Sequence, residues 1–381
     1  MKLLCCQPLL LAAATLWDHV SADYSLSAGH VTEATRNSRA QFAKEWSLNA
    51  RASTSSIEAI YLGLAGHVYV SYESGLSSDV VGYIKVSSNS LDVVNAVLVG
   101  KHDPIDDTDD DDDDDDDNDK DDKDNKDDSD LDTKNALSVW LKSNVTRGDL
   151  LTEITLASSN TLLKLKSRRS AQVVIEDNVL AQKSFDSEQS IKAKDASAVF
   201  VSSSSVDVGK LSLEADDNGK IEFQVDQVTV AEKFVVAANK QSNVKVLASS
   251  VKTHRLDLSA SRKESTVCVS AQEVTADKAK VSGKKRISLP QASEKHHTKG
   301  TFACERSELP ARTCAMFDES KEQGGDDDKK GEDEDEKEKK KKKKKHEDDE
   351  DDEDDEDDEN DDKEKKKKKK NQEDDEDDED D

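Results

Sequence analysis

Apolar and polar residues alternate in short segments that recur between residues 199 and 281. The apolar positions form three columns, and in each column the residue number rises by 22, then 23, then 23. The first column reads Val199 and Val201, Ile221 and Phe223, Val244 and Val246, Val267 and Val269; the second Val206, Val228, Val251, Val274; the third Leu213, Val235, Leu258, Val281. Alternation predicts half-buried strands, and a fixed period in the twenties is typical of stacked repeats. Three strands per repeat, with no room for a helix, predict a β-helix in which each column is one parallel sheet.

A less regular version of the pattern begins at Ile57 and resumes after an interruption at residues 103–132. It predicts one β domain over residues 55–289, closed by Pro290. Residues 23–54, with an amphipathic turn around Phe42, Ala43 and Trp46, are expected to cap one end. Residues 290–320, which contain cysteines, are expected to cap the other. Deletion of 295–318 should then cause aggregation, because open ends of parallel coils self-associate.

The acidity of the chain is concentrated in two segments. Residues 103–132 hold 20 Asp against 3 Lys, and residues 326–381 hold 34 acidic residues against 17 Lys. Each segment therefore carries a net charge of −17. The whole chain carries −30, so the residues outside these two segments are slightly positive in sum. Neither segment has apolar residues to offset chain entropy, so we expect a disordered acidic insertion and a disordered charged tail over 321–381.

Dense carboxylates attract hard cations, so the acidic insertion predicts weak, diffuse Ca²⁺ binding. The candidate ligands are Asp109, Asp110, Asp111, Asp112, Asp113, Asp114, Asp115, Asp116 and Asp117. A solvated spacer is the favoured alternative, and no dedicated cofactor is expected. The tail's lysine runs are neutralised by adjacent acidic runs, so a nucleic-acid partner is not expected.

Residues 1–22 have the parts of a secretory signal. Lys2 precedes an apolar stretch over Leu9–Leu16, and Val20-Ser21-Ala22 supplies small residues for cleavage. No later segment has the roughly 20 apolar residues that a spanning helix needs. The sequence thus predicts a secreted, extracellular or cell-surface protein with no integral membrane segment once the signal is removed.

Three cysteines remain after signal removal. The favoured pairing is a disulfide between Cys304 and Cys314, as expected in an oxidising compartment. Cys268 lies one residue away from the inward positions and should face outward, either as a free thiol or as the partner of one of the other two. A zinc site from His296, His297, Cys304 and Cys314 is a less favoured alternative, since no close Cys-x-x-Cys pair is present.

Sequence motifs for catalysis are absent, including Gly-x-Ser-x-Gly, His-Glu-x-x-His and phosphate-binding glycine loops. Glu214, Asp216 and Asp217 resemble the carboxylate clusters of β-helical polysaccharide-active enzymes. Asp-Asp-Asn-Gly is also favourable turn chemistry, and the turn is preferred. We therefore expect a protein that is not an enzyme.

Two surface motifs stand side by side. Asn144-Val145-Thr146 is a glycosylation sequon, and Arg147, Gly148 and Asp149 spell an adhesion tripeptide of the integrin-binding type. A glycine turn between two strands is the favoured alternative for the tripeptide.

The segment 173–180, with the repeats behind it, resembles the auto-transporter adhesin head GIN domain family. Further shared features are Ile60-Tyr61-Leu62-Gly63, Ile84-Lys85-Val86 and a terminal array of short repeats whose period is near 22. The resemblance covers about residues 57–287 and implies a right-handed parallel β-helix, or solenoid, and an adhesion-type role.

Three functions follow from these patterns. The first is a secreted, non-enzymatic binding or structural protein whose partner is a glycan, a matrix or a cell surface. The second is a Ca²⁺- or mineral-binding protein of low affinity and high capacity. The third and least favoured is a polysaccharide-active enzyme. The oligomeric state is left open.

Overall fold

A computed structural model describes residues 24–34, 40–52, 55–101 and 135–320. The expected signal at residues 1–22, the acidic segment 103–132 and the charged segment 326–381 lie outside these residues, as do the nine candidate Ca²⁺ ligands. The described chain is almost entirely β structure, with coils of about 23 residues stacked in parallel. The predicted all-β solenoid is confirmed.

The strands, in chain order, are Tyr24–Ala28 (β1), Thr32–Glu33 (β2), Phe42–Ala50 (β3), Ala59–Gly63 (β4), Gly66–Tyr72 (β5), Val80–Ser88 (β6), Val97–Gly100 (β7), Ala136–Leu141 (β8), Arg147–Leu156 (β9), Lys164–Arg168 (β10), Ala171–Ile175 (β11), Lys183–Ala193 (β12), Ala198–Ala215 (β13), Lys220–Ala238 (β14), Asn243–Leu247 (β15), Ser250–Ala260 (β16), Thr266–Ser270 (β17), Glu273–Ser282 (β18), Ile287–Ser288 (β19) and Ala315–Asp318 (β20). One helix, Leu91–Ala96 (α1), and one 3-10 turn, Lys284–Arg286, complete the described elements. Ser90 caps α1 by accepting a hydrogen bond from the backbone N–H of Val93.

In the later repeats two corners lie within one long strand and a third lies at the turn to the next coil, so the coils have three sides. In β14 the alternation of buried and exposed residues breaks at Asp226-Gln227 and again at Ala231-Glu232, where two exposed residues stand together. We call the side containing 220–225 sheet 1, the side containing 227–230 sheet 2 and the side containing 233–238 sheet 3. The parallel pairing of β13, β14, β16 and β18 runs through sheets 2 and 3.

The register confirms the first two predicted columns. Val199 pairs with Ile221, which pairs with Val244 and then Val267. In the third column, however, Leu213 pairs with Val236 and not with Val235. The pairing shifts between Val208/Lys210 and Val230/Lys233, where β14 holds one extra residue at the corner.

The core is a continuous cluster of these inward side chains from the first coil to the last. Phe223 and Phe234 are its largest members in the repeats, and both are fully buried. Burial of apolar surface is the dominant favourable term in folding. In a solenoid each coil contacts only its neighbours, so this burial occurs along the columns of inward side chains.

The order of the coils in space differs from their order in the chain. The coil formed by β4 and β5 lies between the coil of β8 and β9 and the coil of β10 and β11. Beyond β9, sheet 1 is extended by antiparallel strands β6, β3 and β1. Residues 42–50 are therefore a strand, and the predicted amphipathic turn around Phe42 is wrong.

After β19 the chain covers the last coil and then turns back. Leu289 and Ala292 join the core cluster, and His296 Nε2 lies 3.2 Å from the carbonyl oxygen of Val274. Residues 301–319, which we call the strap, then run along the outer face of sheet 1 to the coil of β9. There β20 pairs antiparallel with Arg147–Leu150.

Candidate binding surface

One outer face of the solenoid is covered by the strap. The outward residues of sheet 1 stack in a single in-register column beneath it: Glu153, Tyr69, Val174, Phe200, Glu222, Lys245, Cys268 and Ser288. Strap residues form contacts along nearly the whole column, so this face is not open to a partner.

Polar contacts hold the strap over the last coils. Lys245 Nζ donates to the carbonyl oxygen of Glu305 at 2.6 Å and to Ser307 Oγ at 3.1 Å. The backbone N–H of Ser307 donates to both carboxylate oxygens of Glu222, at 3.0 and 3.1 Å. Ser288 Oγ donates to the carbonyl oxygen of Phe302 at 2.6 Å. The strap thereby satisfies the buried carboxylate of Glu222, which is only 6% exposed.

Towards the first coils the strap crosses an aromatic residue. Tyr69 donates from its hydroxyl to the carbonyl oxygen of Pro310, and the Arg312 guanidinium lies 5.2 Å from the centre of its ring. Burial raises the pKa of Tyr69, and the positive charge of Arg312 opposes that shift. Arg312 also pairs with Glu153 at 2.7 Å and Glu176 at 3.3 Å.

The end of the strap is anchored by Glu319. Its carboxylate pairs with the guanidinium of Arg169 and accepts a hydrogen bond from Ser170 Oγ at 2.8 Å. Phe317 inserts into the main core and is 6% exposed.

The disulfide joins Cys268 to Cys304, with a Cα–Cα distance of 5.5 Å. The favoured pairing of Cys304 with Cys314 is therefore wrong. The extended strap carries Cys314 away towards β9, where its sulfur lies 3.4 Å from the carbonyl oxygen of Ser87. The expectation that Cys268 faces outward is correct, and the strap covers it.

The zinc alternative does not fit this geometry. Cys304 is bonded to Cys268, and the ring of His296 is buried against Val274. Among the residues that the structure describes, no group of three or more His, Cys, Asp or Glu is placed to hold a metal ion.

The tripeptide Arg147, Gly148 and Asp149 lies in β9 and is paired with β20. Asp149 is 7% exposed. Its carboxylate accepts hydrogen bonds from Ser88 Oγ at 3.1 Å and from the backbone and side-chain nitrogens of Asn89 at 3.1 and 2.7 Å. An exposed adhesion tripeptide is therefore wrong, since a receptor cannot reach this carboxylate, and so is the glycine turn. The same carboxylate and Glu153 add to burial in raising the pKa of Cys314 to about 11.

The glycosylation candidate has a different setting. Asn144 is exposed in the turn between β8 and β9. Its modification stays a prediction.

The three candidate catalytic carboxylates are held by lysines. Glu214 pairs with Lys192 at 3.2 Å, and Asp217 pairs with Lys240 at 2.6 Å. Asp216 lies 3.9 Å from the same Lys240. Asp217 and Asn218 both have a positive φ, at 49° and 67°, as the predicted turn requires. The side chains at this corner line an open depression of about 550 Å³ between successive turns: Asp217, Asn218, Lys240, Gln241, Arg262, Lys263 and Glu264.

The outer face of sheet 3 is open to solvent, and that face is basic. Lys210, Lys233, Arg255 and Lys278 stack in register along the edge of sheet 3 that adjoins sheet 2. We call them the cationic column. Four more solvent-facing cations, Lys164, Lys166, Lys192 and Lys280, lie on the same face with three carboxylates, Glu188, Glu214 and Asp257. Sequence reasoning missed this column, although its four cations follow one another along the chain at the period of the coils.

The cationic column is electrostatically costly. Adjacent strands lie about 4.8 Å apart, and like charges directly opposite each other destabilise a strand pair. Asp257 relieves part of the repulsion by pairing with Arg255 at 2.9 Å and Lys233 at 3.3 Å. Glu188 is the register neighbour of Lys210 on the adjacent coil, but within the described chain no carboxylate forms a salt bridge with Lys210 or Lys278. Local rules of this kind are broken most often at functional sites.

No family model matches the chain, and no curated protein matches it. A solved structure of a candidate adhesin from Parabacteroides merdae aligns with 68% of this chain and 95% of its own, at 12% identity and a TM-score of 0.25. That similarity is too low to support an argument about function, and the resemblance to the GIN domain family stays an expectation. Among the described residues, no helix is both long enough and apolar enough to cross a membrane.

Proposed function

We propose that the chain is an extracellular, non-enzymatic β-solenoid that binds linear acidic polysaccharides on the outer face of sheet 3. The observation that carries this proposal is the cationic column, which stands open while the strap covers sheet 1. Binding then depends on the charge of the column and on the spacing of its residues, and no chemical step is needed.

The spacing of the column favours a linear polymer. A chain with one carboxylate or sulfate on each sugar residue repeats its charge at a distance similar to that between adjacent coils. Laid across the coils, it can place one anion near each of Lys210, Lys233, Arg255 and Lys278. Neutralisation by the polymer relieves the repulsion within the column, so binding gains more than isolated surface contacts would supply.

The compartment also supports an extracellular glycan. The Cys268–Cys304 disulfide is characteristic of oxidising environments. The secretory signal expected at residues 1–22 has the same implication. A polyanion in that compartment is more commonly a polysaccharide than a nucleic acid.

Binding of the full chain to an immobilised polyuronate tests the proposal, with EDTA present so that Ca²⁺ cannot bridge the polymer to the acidic segments. A variant with Lys210, Lys233, Arg255 and Lys278 changed to Gln should bind at least tenfold more weakly than the wild type. Its affinity should also fall less steeply with salt concentration.

The matched control changes four other exposed lysines, Lys142, Lys220, Lys252 and Lys263, to Gln. It has the same net charge as the column variant and should bind nearly as well as the wild type. Equal losses in the two variants would mean that only net charge matters, which would overturn the assignment to sheet 3.

A further inference from the structure

The strap consists of two parts that are held in different ways. Residues 315–318 form a strand, and Phe317 is buried in the core. Residues 301–314 contain no helix or strand. Residues 301–309 are attached to the last coils by the disulfide at Cys304, by the hydrogen bond from Ser288 to the carbonyl oxygen of Phe302, and by the hydrogen bonds of Glu305 and Ser307 with Lys245 and Glu222.

The non-covalent contacts of residues 301–309 contribute little free energy to offset the entropy that is lost when this segment is ordered. Its side chains are mostly exposed: Thr301, Ala303, Glu305, Arg306, Glu308 and Leu309 all face solvent. Fixing each backbone residue has an entropic cost of about 1 kcal/mol or more, and a few hydrogen bonds, each with a net contribution of about 1 kcal/mol, offset only part of that cost over nine residues. The covalent bond is therefore the main attachment of residues 301–309.

We propose that the Cys268–Cys304 disulfide is a latch, and that an extracellular dithiol reductant opens it and releases residues 301–309 from sheet 1. This proposal does not depend on polysaccharide binding by sheet 3. Opening would uncover Glu222 and Lys245 and turn the covered face into a second accessible surface, while β20 stays in place.

The two sulfurs differ in access, which sets the direction of attack. Cys268 is 2% exposed, whereas Cys304 is partly exposed on the strap. One thiolate of the reductant attacks Cys304 Sγ, the Sγ–Sγ bond breaks, and Cys268 leaves as a thiolate and takes up a proton. The second thiol of the reductant then displaces Cys304 as a thiol. The reductant is oxidised to a cyclic disulfide, and the protein disulfide is reduced to two thiols.

Tryptic cleavage after Arg306, followed by mass spectrometry on the full chain, measures the release. A Cys314→Ser background prevents exchange with the third thiol. Treatment with dithiothreitol should accelerate cleavage at Arg306 at least tenfold, while cleavage within the coils and the melting temperature of the body change little. A variant carrying Cys268→Ser and Cys304→Ser should show the same fast cleavage without reductant, which separates loss of the bond from any other effect of the reagent.

Two results would overturn the latch. Unchanged cleavage at Arg306 in both the reduced protein and the double variant would show that non-covalent contacts hold the strap. Equal acceleration at sites throughout the coils would show that the disulfide stabilises the whole body and does not act on the strap alone.

Discussion

Val236 and its neighbour Val235 lie on opposite sides of one strand of sheet 3. Val236 is fully buried in the core, whereas Val235 is partly exposed on the outer face. We expect Val236→Ala to lower the free energy of unfolding by about 2 kcal/mol, because it removes buried methyl groups and leaves a small cavity. Val235→Ala, the matched control, should lower it by about 0.5 kcal/mol or less. Urea denaturation of both variants measures the difference, and equal losses would contradict the register.

Cys314 has its pKa raised to about 11, first by burial and then by the negative charges of Asp149 and Glu153. At pH 8 only about one thiol in a thousand is then ionised, whereas an unperturbed cysteine with a pKa of 9.0 is about one tenth ionised. Alkylation of Cys314 in the oxidised, folded chain should therefore be about a hundredfold slower than in the unfolded chain.

The same shift predicts a pH dependence of stability. The folded state holds the Cys314 proton more tightly than the unfolded state, so this group's contribution is complete below pH 9.0 and is lost as the pH rises towards 11. The wild type should lose more stability than Cys314→Ser over that interval, as measured by urea denaturation at each pH. An alkylation rate that levels off near pH 9 would contradict the raised pKa.

At the scale of elements, the segment after β19 has two separate structural roles. Residues 289–299 add Leu289, Ala292 and His296 to the last coil, whereas the strap covers a different face. The cap expected at residues 290–320 stays a prediction, and these contacts favour residues 289–299 as the part that caps the coil. A chain ending at residue 300 should remain less associated than a chain ending at residue 288, because the shorter chain exposes the core of the last coil. Analytical ultracentrifugation compares them, and identical size distributions would mean that residues 289–299 are not a cap.

Much of the register could be predicted from the sequence because the pattern is local. An apolar residue every second position marks a strand, and Val199, Ile221, Val244 and Val267 pair as their spacing predicts. The third column failed at one position, Val235, because a corner in β14 contains one residue more than the corner in β13. A bulge of this kind changes side-chain direction without changing the repeat length enough to be noticed.

The candidate surface was less predictable than the core. The strap has no apolar period, and its position depends on contacts such as Ser307 with Glu222, which are 85 residues apart. The cationic column has a visible period, but its residues became a surface only once the register and the uncovered face were known. The prediction of an adhesion tripeptide at Arg147 was wrong for a related reason, because a short sequence motif contains no information about its burial.

At the scale of the whole molecule, the order of the coils and the path of the strap bring distant parts of the chain together. The coil of β8 and β9 follows the acidic insertion in the chain, yet it stands outside the coil of β4 and β5. The strap returns from the last coil to this same coil through β20. Asn135, where the described chain resumes after the insertion, and Ser320, where the description ends, therefore both belong to the region of the β8–β9 coil.

The molecule as a whole predicts that folding of the body does not require Ca²⁺. Its core is one continuous apolar cluster from Tyr24 to Phe317, and burial of that surface drives folding whatever cation is present. For the acidic segments, by contrast, we expect only diffuse Ca²⁺ binding. Circular dichroism of residues 23–320 should show a cooperative melt whose midpoint shifts by no more than about 2 °C on adding Ca²⁺ at about 1 mM, a concentration suited to weak extracellular sites.

The full chain supplies the comparison, since binding restricted to the acidic segments should give heat in calorimetry without raising the melting temperature of the body. A β spectrum that develops only after Ca²⁺ is added would instead make metal binding a condition of the fold, and would favour the Ca²⁺-binding function over polysaccharide binding.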